Sequence, residues 1–148
     1  MDIIIRDYTN DDFDVVKNIL LECFPDVSEV LEKTMDNYNT LSLDKNKYIQ
    51  LVAVEGNKVV GYALASRGLD PILVKHNIFI DYVCVTSETK ESGIAKKLIQ
   101  SIEELAIEEK VLYLQLTSSR LRENSKKLYL DLGFEIRETD IYRKVLEW

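Results

Sequence analysis

Apolar residues recur along the chain with two different periods, and the switches between them mark out the elements. Ile3-Ile4-Ile5, β-branched and followed by Arg6-Asp7, predicts a short buried strand. Thr9 stands three residues ahead of Asp12, a helix-start signal, and Phe13, Val16, Ile19 and Leu20 then follow at helical spacing until Pro25 ends the run. Asp26 with Glu29 repeats the capping pattern, and Val27, Val30, Leu31 and Met35 predict a second amphipathic helix reaching Tyr38. Tyr48 to Val54 and Val59 to Ser66 are β-rich runs joined by Glu55-Gly56-Asn57-Lys58, where Gly and Asn tolerate the positive φ of a tight hairpin.

Ile78 to Thr86 is almost continuously apolar, the pattern of a central strand covered on both faces. From Gly93 to Lys110, Ile94, Leu98, Ile102, Leu105 and Ala106 form a helical stripe, with Lys96, Lys97, Glu103, Glu104 and Glu108 off it. Val111 to Thr117 is again β-type, and a long helix before it implies a right-handed parallel crossover, a βαβ unit. A shorter helix begins at Asn124 or Ser125 and runs through Asp131 to Gly133, and Phe134 to Arg137 and Ile141 to Leu146 predict one or two final strands. The expected architecture is α/β (α+β): a mixed central sheet of six to seven strands with about four helices, without internal repeats.

Composition narrows the class. The 148 residues fit one domain spanning 1–148, and five Gly and two Pro exclude collagen-like or linker-rich sequence. Cys23 and Cys84 are too few for a disulfide framework or a zinc site, so they read as core thiols in a reducing compartment and no metal is expected. The longest stretch free of formal charge, Val111 to Ser119, is far short of the ~20 apolar residues of a membrane span. The opening residues lack the features of a secretory signal. No membrane contact and a cytoplasmic location are the resulting expectations. A net charge of −7 disfavours nucleic-acid binding, which relies on clustered Lys and Arg.

Two stretches depart from this background. Thr86 to Ala95 joins the apolar strand to the long helix through Lys90-Glu91-Ser92-Gly93-Ile94-Ala95. A helix start offers free N–H groups and a partial positive charge, and Gly there lets a ligand reach the main chain, so the loop reads either as a phosphate site or as an ordinary connection. Rossmann and P-loop motifs are absent. The second stretch holds Arg120, Arg122, Lys126 and Lys127 around Tyr129, either an anion-facing patch or a solvated helix face.

In order and spacing these fragments resemble the GNAT superfamily of acyl-CoA-dependent N-acyltransferases over nearly the whole chain. Val83-Cys84-Val85-Thr86-Ser87 is similar to that family's apolar-x-Val-x-Pro strand, and Lys90-Glu91-Ser92-Gly93-Ile94-Ala95 to its Gln/Arg-x-x-Gly-x-Gly/Ala pyrophosphate loop. Asn124 with Leu128-Tyr129-Leu130-Asp131-Leu132-Gly133-Phe134 resembles its aromatic-Tyr-x-x-x-Gly-Phe signature, and Ile5-Arg6-Asp7-Tyr8-Thr9 with Asp12 its opening. Lys90 replaces Gln or Arg, Glu91 a frequent Gly and Ser87 the common Pro. Lys loses the planar fork that grips phosphate, leaving the backbone N–H groups as the main expected hold.

The resemblance implies a GNAT fold with parallel strands splayed around an acetyl-CoA cleft. It implies acetyl-CoA contacts at Val83, Cys84, Val85, Lys90, Glu91, Ser92, Gly93, Ile94, Ala95 and Asn124, with the N–H near Val83 polarising the thioester carbonyl and Tyr129 protonating the departing thiolate. Asp81, an acid in an apolar strand, reads as the general base or as a strand-end acid paired with Lys or Arg. His76 reads as an exposed loop residue, and Cys84, with no adjacent His, as an inert thiol, so acetyl transfer is expected to be direct. The expected acceptor is a primary amine of a small molecule, which the acids Asp36, Asp44, Asp70 and Glu138 would suit if cationic. A protein or peptide amine, or a non-catalytic acyl-CoA sensor, is the rival, and the final strands could pair a homodimer.

Overall fold

The computed structural model describes residues 2–27, 44–89, 91–118, 120 and 123–146. The helix expected between Val27 and Tyr38 lies almost wholly outside them; its first turn, Pro25–Val27, is a 3₁₀ turn. The chain divides into two compact units, Met1–Thr117 and Ser118–Trp148, described in turn.

The first unit opens with β1 (Ile3–Asp7), a 3₁₀ turn at Asn10–Asp12 and α1 (Phe13–Cys23). The turn is set by the predicted capping pair: the Asp12 carboxylate accepts the Thr9 N–H at 2.9 Å. The same carboxylate takes a bidentate ion pair from Arg6 at 2.8 and 2.9 Å, which holds it well below the usual carboxylate pKa. Then come β2 (Tyr48–Glu55), β3 (Lys58–Asp70), β4 (Lys75–Val85), α2 (Ile94–Glu108) and β5 (Tyr113–Leu116). The strands form a sheet in the order β1-β2-β3-β4-β5, antiparallel except for the β4–β5 pair, which is parallel.

β3 sits at the centre, and its alternation separates two cores. Tyr62 and Leu64 face α1 and pack with Tyr8, Val16, Ile19, Leu20, Val52 and Cys84. The alternate positions, Gly61, Ala63 and Ala65, are small and face α2, which buries Ile94, Leu98, Ile99, Ile102 and Ala106. Each of the four Ile and Leu side chains contributes about 2 kcal/mol of burial. Gly61 lets the helix sit close: a Cβ there would lie 3.1 Å from Ile94 and 3.2 Å from Leu98.

β3 and β4 run farther than their apolar cores, which end at Ser66 and begin at Ile78, because ladder pairing carries on through Asp70 and Lys75 despite residues of low β propensity. His76 therefore stands in strand β4, exposed, rather than in a loop. Nor is β4 covered along its whole length: Ile78, Ile80 and Cys84 are buried while Asp81 and Tyr82 are exposed.

The second unit contains α3 (Glu123–Asp131), none of whose residues is fully buried. It closes through Gly133 at φ +92°, whose N–H reaches the Leu130 carbonyl at 3.0 Å. The strands expected at Phe134–Arg137 and Ile141–Leu146 do not form. β-type residues need a ladder partner, and here Ile141, Tyr142 and Val145 are 70, 92 and 79% exposed. Among the described residues the sheet therefore has five strands and the chain three α-helices, fewer than the six to seven strands and four helices expected.

Candidate active site

The two edges of β4 differ. Along one it pairs with β3 from Lys75 to Val85; along the other it meets β5 only from Asn77 to Ile80, opposite Tyr113 to Leu116. Past Ile80 the outer edge continues through Val85 with no strand beside it among the described residues.

Alternation in the ladder shows which residues turn their backbone to that opened edge. The His76 carbonyl accepts the Leu112 N–H at 2.8 Å, so His76, Ile78 and Ile80 direct their backbone groups toward β5. At the other end the Thr86 N–H donates to the Val60 carbonyl at 2.9 Å, so Thr86, Cys84 and Tyr82 face β3. Val83 and Val85 are left pointing outward. The change of parity comes from a bulge: Leu64 opposes Tyr82 while Ala65 opposes Ile80, and Asp81 is the extra residue. One weak contact reaches this edge, the Cys23 thiol 3.8 Å from the Val85 carbonyl.

The start of α2 lies close by, since Val85 pairs with Gly61 and Gly61 packs under Ile94. Gly93 is its N-cap, in the left-handed conformation at φ +76° with nothing within 4 Å of where a Cβ would stand. The first intrahelical bond runs from the Lys97 N–H to the Gly93 carbonyl, leaving Ile94, Ala95 and Lys96 without intrahelical partners for theirs. The first turn holds no acid, and Lys96 and Lys97 are exposed. A helix end of this kind has the free N–H groups and partial positive charge that suit an anion. Glu91 and Ser92 are exposed just before it, and Lys90 lies outside the described residues.

Among the described residues Asp81 pairs with no Lys or Arg. Its carboxyl is bonded by the Ser66 side chain, and crowding by surrounding atoms outweighs that bond and pushes its pKa up. Cys84 is buried on the α1 face, a packing position. In the second unit Asn124 is exposed on the first turn of α3. Tyr129, half-buried, stacks edge-on against Phe134 with ring centres 6.1 Å apart, and its carbonyl accepts the Phe134 N–H at 3.0 Å.

A family model described as "Acetyltransferase (GNAT) family" matches residues 13–134. The chain belongs to the GNAT acetyltransferase family. N-acetyltransferase 8B of Mus musculus is 31% identical over 97 residues, covering 66% of this chain and 41% of its own length. The chain thus spans about two fifths of the curated relatives it matches. Among solved structures, a possible acetyltransferase from Clostridium difficile 630 superposes with TM-score 0.83 at 21% identity over 99% of both chains. AAC(6')-Iy in complex with the bisubstrate analog CoA-S-monomethyl-acetylneamine gives TM-score 0.83 at 18% identity over 99% of this chain and 100% of its own. At these identities the structural likeness concerns the fold, which here is the α+β GNAT fold.

Within this GNAT chain the structure places Asp81, Val83 and Val85 along one strand, whose end at Val85 lies near Ile94 at the start of α2 through Gly61. It also reveals residues that the sequence pattern passes over. The Glu22 carboxylate accepts the Thr86 hydroxyl at 3.0 Å and the Ser87 N–H at 2.7 Å, Glu55 accepts the Thr89 hydroxyl at 2.9 Å, and Lys58 pairs with Glu88. Locally Glu22 is one more exposed acid on a helix, and nothing in its own neighbourhood signals partners 65 positions away. No helix among the described residues is long and apolar enough to cross a membrane, and no cluster of His, Cys, Asp or Glu there could hold a metal.

Proposed function

We propose that this chain transfers an acetyl group from acetyl-CoA directly to a primary amine of a small molecule. The observation that carries the reading is the opened edge of β4, where Val83 and Val85 direct backbone groups outward with no strand beside them among the described residues, next to the N-terminus of α2. An extended pantetheine arm can add to such an edge as a further strand, and free N–H groups with a glycine N-cap suit its pyrophosphate.

In this reading the Val83 N–H stabilises the oxyanion formed when the amine attacks the thioester carbonyl. Asp81 accepts the proton lost by the amine, directly or through water, and its raised pKa brings it nearer the range of a working base. Tyr129 gives a proton to the departing CoA sulfur; a phenol of pKa about 10 stays protonated where a thiol of about 8.5 does not. Asn124 and the stretch from Lys90 to Ala95 hold the cofactor, and residues 1–148 act as one acetyltransferase domain, a reading that a family match running from 13 to 134 supports. Two free cysteines fit a cytoplasmic location.

A thiol-release screen with acetyl-CoA against small amines, polyamines, aminoglycosides and peptides tests the proposal. Turnover with a small amine is expected, and Tyr129→Phe should lower it by about 10²–10⁴ while acetyl-CoA binding persists. Turnover with peptides alone replaces the acceptor, and binding of acetyl-CoA without any turnover favours a sensor.

A further inference from the structure

A loop that presents backbone N–H groups to an anion binds well only if it holds its shape before the anion arrives, because ordering it on binding subtracts from affinity. The stretch Thr86–Thr89 is held from outside. Its first two residues are tied to the last turn of α1 by Glu22, whose oxygens accept the Thr86 hydroxyl at 3.0 Å and the Ser87 N–H at 2.7 Å. Thr86 is buried, and its oxygen in turn accepts the Glu88 N–H at 3.3 Å, so the constraint passes along the loop. Thr89 continues the series, donating to Glu55 at 2.9 Å and accepting the Glu91 N–H at 3.1 Å.

The placement of Glu22 is electrostatically adverse for an anion site unless the carboxylate does something else there. Its two oxygens are engaged by loop donors, and these bonds pull its pKa below the usual carboxylate value. The donor at Ser87 exists because this position is not proline. Proline would fix φ and lack the N–H; here a serine keeps the N–H and a helix carboxylate restrains it.

We propose that Glu22 is a positioning residue that holds Thr86–Thr89, ahead of the N-terminus of α2, in the shape that receives the pyrophosphate of acetyl-CoA. The proposal rests on the acetyl-CoA reading above. Acetyl-CoA binding to the full chain is measured by calorimetry for wild type, Glu22→Ala, Glu22→Gln and Ser87→Pro, alongside thermal midpoints and ligand-free amide exchange at Ser87 and Glu88. Glu22→Ala is expected to weaken binding about tenfold, the low end for a charge-assisted bond at an exposed carboxylate. It should also speed exchange at Ser87 while moving the midpoint by no more than about 2 °C.

Glu22→Gln, whose amide oxygen still accepts the Ser87 N–H, should recover most of the affinity. Ser87→Pro should bind close to wild type, and because only the Thr86 bond to Glu22 then remains, adding Glu22→Ala should cost less affinity than it does in wild type. Equal or tighter binding by Glu22→Ala overturns the proposal, since the carboxylate would then merely repel the anion. So does weaker binding that tracks a fallen midpoint with exchange unchanged. Failure of wild type to bind acetyl-CoA refutes the proposed function and this role with it, whereas wild-type binding matched by every variant refutes the positioning role alone.

Discussion

The two halves of β4 share one strand, one neighbour in β3 and similar apolar residues, yet they do different work. From Asn77 to Ile80 the strand is closed on both edges, and Asn77 adds a side-chain bond to the Tyr113 hydroxyl at 3.0 Å. From Asp81 to Val85 one edge has no strand beside it among the described residues. A single extra residue separates them, because the bulge at Asp81 moves the outward backbone groups from even to odd positions and ends the match to β5. A site for an extended ligand can therefore be built without any special side chain.

Proline substitution breaks this comparison most sharply. Val83→Pro removes an N–H that has no ladder partner, so the fold should survive as it does with proline on an edge strand, while turnover should fall by about 10²–10³ through loss of the oxyanion donor. Ile80→Pro, three residues earlier, removes an N–H directed at β5 and should cost about 3 kcal/mol or more of stability in denaturant titration. Equal stability losses from the two would mean that the outer edge is not open.

The bulge residue itself gives the next effect. Asp81→Asn should lower kcat/KM by about 10². Because the Asp81 pKa is raised, wild-type activity should climb as pH rises through that elevated value, and the Asn variant should lose this acidic limb of the profile. Asp12 provides the opposite sign: Arg6 lowers its pKa, so its stabilising contribution is present above the unfolded value near 4 and is lost as pH falls through the depressed one. Thermal midpoints measured on acidification should show that loss in wild type and much less of it in Asp12→Asn.

The smallest effects come from two glycines of β3, one opposite each half. Gly61→Ala presses on Ile94 and Leu98 where α2 begins, and should cost about 1 kcal/mol and raise KM for acetyl-CoA. Gly68→Ala displaces the Asn77 side chain, 2.5 Å from the new Cβ, and should cost about 1 kcal/mol through the lost Tyr113 bond with KM unchanged.

Legibility followed sequence distance. The β2–β3 hairpin with Gly56 at φ 63°, the capping pair of Thr9 and Asp12, the buried stripe of α2 and its left-handed Gly93 all stood in the local pattern, because each is set by residues within a turn of one another. The open edge did not. A run such as Ile78 to Thr86 reads as uniformly central, since apolar residues do not say which neighbour ends first. The final segment erred the other way: Ile141 to Leu146 carries β-type residues that form no strand without a ladder to join. Asp81 was picked out as an acid in an apolar strand, but its Ser66 partner and its place in a bulge depend on register with β3.

By itself, then, the amino-acid order determined the periods, the turns and the glycine that starts α2, all consequences of local sterics and of which face each side chain meets. Tertiary structure alone decided that Val83 and Val85 face an edge with no strand beside it among the described residues and that Glu22 reaches Thr86 and Ser87. Backbone hydrogen-bond direction depends on the count of residues in two paired strands, and a contact 65 positions away depends on how helix and sheet pack. Neither quantity is written in the residues that carry it.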